Sequence, residues 1–255
     1  MKIIKWEQLP TEMQTQTIRR YYDILKKRRV GLFFKRVFDV VVSVFALVIL
    51  SPVFLILAIA IKLDSPGPVF YRQERITQYG KSFRIHKFRT MVQNADRGSQ
   101  VTVNNDSRIT RVGKVIRDCR LDEIAQLIDV IQGTLTLVGV RPESPKYVAA
   151  YTNEMLATLL LPAGVTSLAS IYYKDEAKLL DGVEDTDKVY IEQILPGKMY
   201  YNLKGIEQFG FWKDIKIMFM AVFAVLGKKY VGDYVPPFAQ ETVGNEKHEE
   251  EITVD

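Results

Sequence analysis

The run Val40–Ile61, VVVSVFALVILSPVFLILAIAI, holds 22 residues without a single charge. As an α-helix it would be about 33 Å long, enough to cross a hydrocarbon core of about 30 Å. It reads as a membrane segment that is retained: it lies too far from the first residue, and is too long, for a signal-peptide core, and no small-residue cleavage site follows. Ser51-Pro52 sits at its midpoint. Proline removes a backbone donor and clashes with the preceding turn, so a break or kink is expected there. Each arm is then about ten residues long and reaches only about half of the core.

Both flanks are basic, with Lys26, Lys27, Arg28, Arg29, Lys35 and Arg36 before the run and Lys62, Arg72, Arg75, Lys81 and Arg84 after it. The positive-inside rule places both flanks in the cytoplasm. A hairpin that enters and leaves by one face satisfies the charges and the short arms together. A kinked spanning helix remains the alternative, because membrane helices tolerate proline.

Upstream, Glu12 to Arg29 reads as a basic amphipathic helix with Ile18, Tyr21, Tyr22 and Leu25 at helical spacing, and a membrane-surface role is expected for it. Downstream, Ser65-Pro66-Gly67-Pro68 is a turn, and Val69–Arg75 and Lys81–Phe88 read as two short strands around Tyr79-Gly80. Phe211 to Leu226 is too interrupted by charge to span and reads as an interfacial or a core helix. From Pro236-Pro237 onward the acidic tail reads as disordered.

With 47% hydrophobic residues in 255, the chain has material for one core and a membrane segment. One cysteine, Cys119, and two histidines, His86 and His248, exclude an intrachain disulfide and a Cys/His zinc cluster and disfavour a Ser-His-Asp enzyme. No GxGxxG or GxxxxGK loop is present, which disfavours hydride transfer and NTPase chemistry. The net charge of +5 hides a basic body, since residues 1–240 carry 34 bases against 24 acids. Residues 62–120 alone hold thirteen bases against five acids. Interleaved aromatics would suit nucleic acid, but that surface would lie against a bilayer. An anionic lipid headgroup or a nucleotide diphosphate uses the same charges without the conflict, so no nucleic-acid partner is expected. A non-catalytic membrane adaptor with a basic face is the alternative to an enzyme.

The sharper signal is Arg117-Asp118-Cys119-Arg120-Leu121-Asp122-Glu123. Ile124, Leu127, Ile128 and Ile131 then fall at helical spacing and stop before Gly133, which puts Asp122 at a helix N-terminus. It could simply be the N-cap, with Glu123 a favourable first-turn acid. Alternatively, a helix N-terminus offers N–H groups to a phosphate while adjacent carboxylates divide nucleophile and metal duties.

Taken in order, Lys35-Arg36-Val37-Phe38-Asp39, the apolar run with Ser51-Pro52, Gly67-Pro68-Val69-Phe70, Gln73-Glu74-Arg75, Lys87-Phe88-Arg89-Thr90-Met91, Arg120-Leu121-Asp122-Glu123, Gln126-Leu127 and Val138-Gly139-Val140-Arg141-Pro142-Glu143 resemble the bacterial sugar transferases, the monotopic phosphoglycosyl transferases. The match covers about residues 32–227. The resemblance implies transfer of a sugar 1-phosphate from a UDP-sugar to a polyprenyl phosphate, usually undecaprenyl phosphate, with release of UMP and initiation of capsule, exopolysaccharide, O-antigen or glycoprotein glycan assembly. It implies Asp122 as nucleophile, Glu123 as Mg²⁺ ligand beside it, and Arg117 and Arg141, the latter followed by Pro142, as phosphate- and uridine-handling residues. Lys87 and Arg89 are candidate further phosphate ligands. The resemblance also implies that Ser51 and Pro52 break a re-entrant helix. Three departures from the family pattern are Val140, where a proline is usual before the arginine, Asp129, where Asn is common, and Thr134, where Asp is common after the glycine.

The expected molecule is an α-rich, mixed α/β catalytic domain on the cytoplasmic face of the bacterial inner membrane, held by a re-entrant helix-break-helix and interfacial amphipathic helices. Its expected regions are an N-terminal extension (1–31), the membrane helix (32–62), the catalytic domain (63–234) and the acidic tail (235–255). Membrane lipid is an expected partner, and a homo-oligomer is left open.

Overall fold

The computed structural model describes residues 1–93, 95, 108–180, 183 and 185–230, so the acidic tail lies outside the described residues. The fold is helix-rich and mixed α/β. Helix α1 (Gln16–Lys27) starts where the Thr15 side chain accepts the Ile18 N–H. Its stripe of Ile18, Tyr21, Tyr22 and Leu25 is at most 3% exposed and packs with Leu32, Leu160, Ile206 and Phe209. The apolar stripe of α1 is thus taken up by the domain core and is not free to enter a bilayer. A helical apolar stripe fits a bilayer or a protein core equally well, and here the domain covers it.

Helix α2 (Arg29–Asp64) runs for 36 residues and is helical through Pro52, where a break or kink was expected, so the chain does not leave the helix there. Pro52 leaves the Val48 carbonyl, four residues back, without its helical donor. The Ser51 hydroxyl donates to that carbonyl at 2.8 Å and satisfies it within the helix. α2 is long and apolar enough to cross a membrane, and only 11% of its most apolar window is buried. Phe45, Val48, Ile49, Leu55 and Ile56 are all more than half exposed.

Both ends of α2 are seated on the same domain. Toward the N-terminus, Leu32, Lys35 and Asp39 are buried, and Arg36 donates to the carbonyls of Val130 and Ile131 at 2.6 and 3.0 Å. Toward the C-terminus, Leu57 and Ile61 join a core with Phe88 and Ile116, Phe54 meets Phe88 edge-on at 5.0 Å, and Asp64 accepts the Val112 N–H at 3.0 Å.

Strands β1 (Phe70–Ile76) and β2 (Ser82–Phe88) form an antiparallel hairpin in which Phe70 faces Phe88 and Ile76 faces Ser82. Its turn takes left-handed conformations at Tyr79 (φ 59°) and Gly80 (φ 72°). Helix α3 (Arg111–Asp118) leads through a 3₁₀ turn, Leu121–Ala125, into α4 (Gln126–Gln132), which ends on left-handed Gly133. Strands β3 (Leu135–Val138) and β4 (Ala163–Thr166) pair in parallel, and a Cβ on Gly164 would stand 2.2 Å from the Gly139 nitrogen. Between them lie α5 (Pro145–Val148) and the 3₁₀ turn Met155–Leu160.

After β4 come α6 (Leu168–Tyr172), α7 (Glu176–Leu179), α8 (Thr186–Val189), a π-turn at Tyr190–Ile194, α9 (Leu195–Glu207) and α10 (Phe211–Val225). α10 buries no residue: Trp212 is 79% exposed and Phe219, Val222 and Phe223 are exposed with it. One side of the helix nevertheless rests on the core through Met218, beside Leu135 and Leu137, so the structure keeps both readings. Phe211 meets Phe38 of α2 edge-on at 5.3 Å, which sets the two apolar helices side by side.

Candidate active site

The site is built where the 3₁₀ turn Leu121–Ala125 packs on β2. Arg120 starts the turn in the left-handed region (φ 54°, ψ 27°), a conformation that costs a non-glycine residue on the order of 1 kcal/mol. That reversal after α3 carries Asp122 and Glu123 over to β2. Asp122 is not an N-cap: Arg120 occupies the cap position, without a side-chain capping bond, and Asp122 lies inside the turn. The capping explanation of Asp122 is thereby removed.

The two adjacent carboxylates have opposite surroundings. Glu123 is gripped by Arg141, whose Nη2 donates at 2.6 Å and Nη1 at 3.4 Å, and by Lys87 Nζ at 3.3 Å. Burial opposes its ionisation, but the charges of Arg141 and Lys87 outweigh burial and hold its carboxyl well below the usual range. Glu123 in turn raises the pKa of Arg141. Asp122 has no hydrogen bond or ion pair among the described residues. Burial and then the Glu123 charge push its pKa up, against the pull of Lys87, Arg117 and Arg141. Burial lowers the Lys87 pKa, and Glu123 opposes that shift.

Asp122, Arg117 and Lys87 line a cavity of 850 Å³ with Arg75 and Phe70, a size within the range of small-molecule sites. Arg117 approaches from the last turn of α3. Arg141 follows β3, and the turn before it is held by the Val140 carbonyl, which accepts the Gly164 N–H at 2.7 Å. β4 thus supplies the support that a preceding proline would otherwise give. Pro142 accepts from Arg75 Nη1 at 3.3 Å. Arg89 borders the cavity, but its guanidinium donates to Ser65 O at 2.7 Å and Ser65 Oγ at 3.0 Å, closing the end of α2. The structure therefore brings Asp122, Glu123, Lys87, Arg117 and Arg141 together and turns Arg89 toward a helix end.

Arg75 is a site residue that sequence reasoning did not single out. The hairpin register pairs Tyr71 with Lys87 and Arg75 with Phe83, so Arg75 and Lys87 project from one face. Its Nε is buried without a partner among the described residues. The alternation along β1 was the available signal. Behind Arg141, Glu143 accepts from Tyr190 Oη at 2.6 Å and Lys198 Nζ at 3.1 Å, and Lys198 also reaches Glu176 at 3.2 Å. Burial opposes the Glu143 charge, but Lys198 overrides it and keeps the carboxyl low. On the other side, Asp129 accepts the His86 N–H at 2.8 Å and pairs with His86 Nδ1 at 2.7 Å, fastening α4 to β2 next to Lys87.

The donor set fits one kind of metal site. Among the described residues no three His, Cys, Asp or Glu side chains converge, so an all-protein cage is not present. Asp122, with Glu123 beside it, suits a Mg²⁺ held by one or two carboxylates and completed by substrate phosphates.

A helix long and apolar enough to cross a membrane, a basic cavity and an adjacent acid pair thus occur together in one domain. The chain belongs to the bacterial sugar transferase family, whose pattern matches residues 30–228. It is 35% identical over 198 residues to a UDP-N-acetylgalactosamine-undecaprenyl-phosphate N-acetylgalactosaminephosphotransferase of Aeromonas hydrophila, covering 76% of this chain and 44% of that protein. It is 34% identical over 200 residues to a UDP-glucose:undecaprenyl-phosphate glucose-1-phosphate transferase of Klebsiella pneumoniae, covering 76% and 40%. A protein of the same name from Caulobacter vibrioides is 34% identical over 197 residues, covering 75% and 69%. The chain thus spans less than half the length of the first two relatives.

Proposed function

We propose that this protein transfers a sugar 1-phosphate from a UDP-sugar to a polyprenyl phosphate, undecaprenyl phosphate in the first instance, with release of UMP. The observation that carries this reading is the unpaired Asp122 carboxylate in a cavity that the bases Lys87, Arg117 and Arg75 also line. A carboxylate there is a nucleophile that needs no histidine. An Asp122 oxygen attacks the sugar-bearing phosphorus. The bond from that phosphorus to the bridging oxygen breaks, and UMP leaves with the electron pair. The resulting acyl phosphate is attacked at the same phosphorus by an oxygen of the polyprenyl phosphate, which gives a polyprenyl diphosphate sugar and restores the carboxylate.

Lys87, Arg117 and Arg75 bind and screen the diphosphate, a charge-stabilising role of the kind that dominates phosphoryl transfer. Arg141 holds Glu123 and is in turn positioned by the turn that β4 supports. Mg²⁺ bound at Asp122 and Glu123 would neutralise charge on the diphosphate. The acceptor phosphate is itself an anion near neutrality, so its attack requires positioning more than a base.

The membrane seat follows the same reading. Between Arg36, on the carbonyls of α4, and Phe54, on Phe88, a straight helix would extend about 27 Å. Yet Phe88 lies two residues along β2 from His86, which is bonded to Asp129 of α4 itself. Seating both halves of α2 on neighbouring elements of one domain supports a re-entrant helix bent about Pro52. Its exposed middle then dips into the cytoplasmic leaflet, with α10 alongside. The reading is tested by incubating the purified protein with Mg²⁺, undecaprenyl phosphate and a panel of UDP-sugars: UMP is expected with at least one sugar, and no UMP with any of them contradicts it.

A further inference from the structure

A second cavity, of 780 Å³, opens between α9, α10 and the β3–β4 pair and shares no lining residue with the cavity of Asp122. Its walls include Ile206, Phe209, Ile217, Phe219, Met220 and Phe223. Lys204, Lys213, Lys216 and Lys228 also line it, against one acid, Asp214, which is already paired with Lys35 at 2.7 Å. Lys213, Lys216 and Lys228 have no carboxylate partner among the described residues; Lys213 bonds Gln208 at 3.1 Å and Lys228 lies over Phe223 and Tyr230.

Gly205 adds an independent observation. It lies inside α9, where glycine costs a helix about 1 kcal/mol relative to alanine. No close packing requires it, because a Cβ there would meet nothing within 4 Å. It is exposed at the rim of the crevice, in the last turn of α9, where the lack of a side chain keeps the mouth open.

We propose that this crevice is a binding site for an anionic diacyl phospholipid, with an acyl chain against the apolar wall and the headgroup phosphate among the lysines. The proposal rests on the membrane seat inferred above, since α10 lies beside α2 and its exposed face gives a bilayer lipid direct entry. The apolar wall disfavours a free phosphate ion, and excess positive charge favours an anionic over a zwitterionic headgroup. The phosphate of the acceptor substrate has to reach Asp122 in the other cavity, so the occupant here is a bilayer lipid that is not consumed.

The test uses the full chain in detergent, titrated with phosphatidylglycerol or phosphatidylcholine and read by native mass spectrometry, with flotation on phosphatidylcholine vesicles run in parallel. Wild type is expected to retain phosphatidylglycerol over phosphatidylcholine by about fivefold or more, close to 1 kcal/mol. Gly205→Leu, which narrows the mouth of the crevice, is expected to lower retention of both lipids at least about fivefold while still floating. Lys213→Gln/Lys216→Gln is expected to reduce phosphatidylglycerol to the phosphatidylcholine level, and it keeps the proposal testable if the glycine variant does not fold. Undiminished phosphatidylglycerol retention in folded Gly205→Leu, or equal retention of the two lipids by wild type, overturns the proposal. Failure of wild type to float contradicts the membrane seat beneath it, whereas flotation without lipid retention contradicts the crevice alone.

Discussion

Arg141 and Glu123 form a two-pronged ion pair, with Nη2 to Oε1 at 2.6 Å and Nη1 to Oε2 at 3.4 Å, and this pair occupies one of two neighbouring acids while Asp122 has no bond among the described residues. A lysine cannot reproduce the fork. Arg141→Lys is therefore expected to keep the fold and lower kcat by about 100-fold, the scale of losing one positioned charge-stabilising group. Steady-state UMP release checks this; activity within about twofold of wild type would show that the fork has no bearing on the reaction.

The two acids should move stability in opposite directions. The Asp122 pKa is raised in the folded protein, so its ionised form is less stable folded than unfolded. Its contribution worsens as pH rises from 3.8 through the folded value, and Asp122→Asn is expected to raise the melting temperature at neutral pH. The Glu123 pKa is lowered, so its stabilisation is present above the unfolded value of 4.5 and is lost as pH falls through the folded value. Glu123→Gln is expected to lower the melting temperature at pH 7, with the difference shrinking in acid. Thermal unfolding of both variants across pH checks the opposite signs. In activity, Glu123→Gln is expected to be partly restored by raised Mg²⁺.

Buried Asp129 accepts a backbone and a ring bond from His86. Asp129→Ala orphans both, a loss of about 1–3 kcal/mol, and for a chain of this size each kcal/mol shifts the melting temperature by about 2–4 °C. Asp129→Asn retains a carbonyl for the His86 N–H and is expected to lose less than half as much. Melting curves of the two variants decide between this staple and an inert buried pair.

On topology, Thr11→Cys and Lys114→Cys, both at exposed positions, are made singly in a Cys119→Ala background. Each is expected to react with an impermeant thiol reagent only from the cytoplasmic side. Pro52→Leu restores the helical donor to Val48 and should shift part of the population to opposite-face labelling. Opposite-face labelling of the unaltered helix would restore a spanning α2.

Much of the scaffold was legible because its signals are local. Alternation and Tyr79-Gly80 located the hairpin, and the spacing of Ile124, Leu127, Ile128 and Ile131 with Gly133 located α4. What was not legible depends on tertiary partners. The stripe of α1 has the same period against lipid as against Leu160 and Ile206. At Pro52 a break or a kink was expected, and the helix continues because a local group, the hydroxyl of Ser51, substitutes for the missing donor. Arg75 enters the site through strand register, and Arg89 stays at its border with Nη2 spent on Ser65 at the end of α2; neither partner is close in sequence. Asp122 was recognised by its neighbours, but only the left-handed turn at Arg120 separates it from a helix cap.

The central claim is that Asp122 carries the sugar phosphate covalently. It is tested most directly by mixing wild type with the preferred UDP-sugar and Mg²⁺ but no lipid acceptor, then reading UMP and intact protein mass together. The account predicts about one UMP per protein followed by a stop, a mass gain of one sugar phosphate that disappears when polyprenyl phosphate is added, and neither signal in folded Asp122→Asn. Sustained turnover by Asp122→Asn with acceptor present, or a full burst of UMP with no change in wild-type mass, would contradict it.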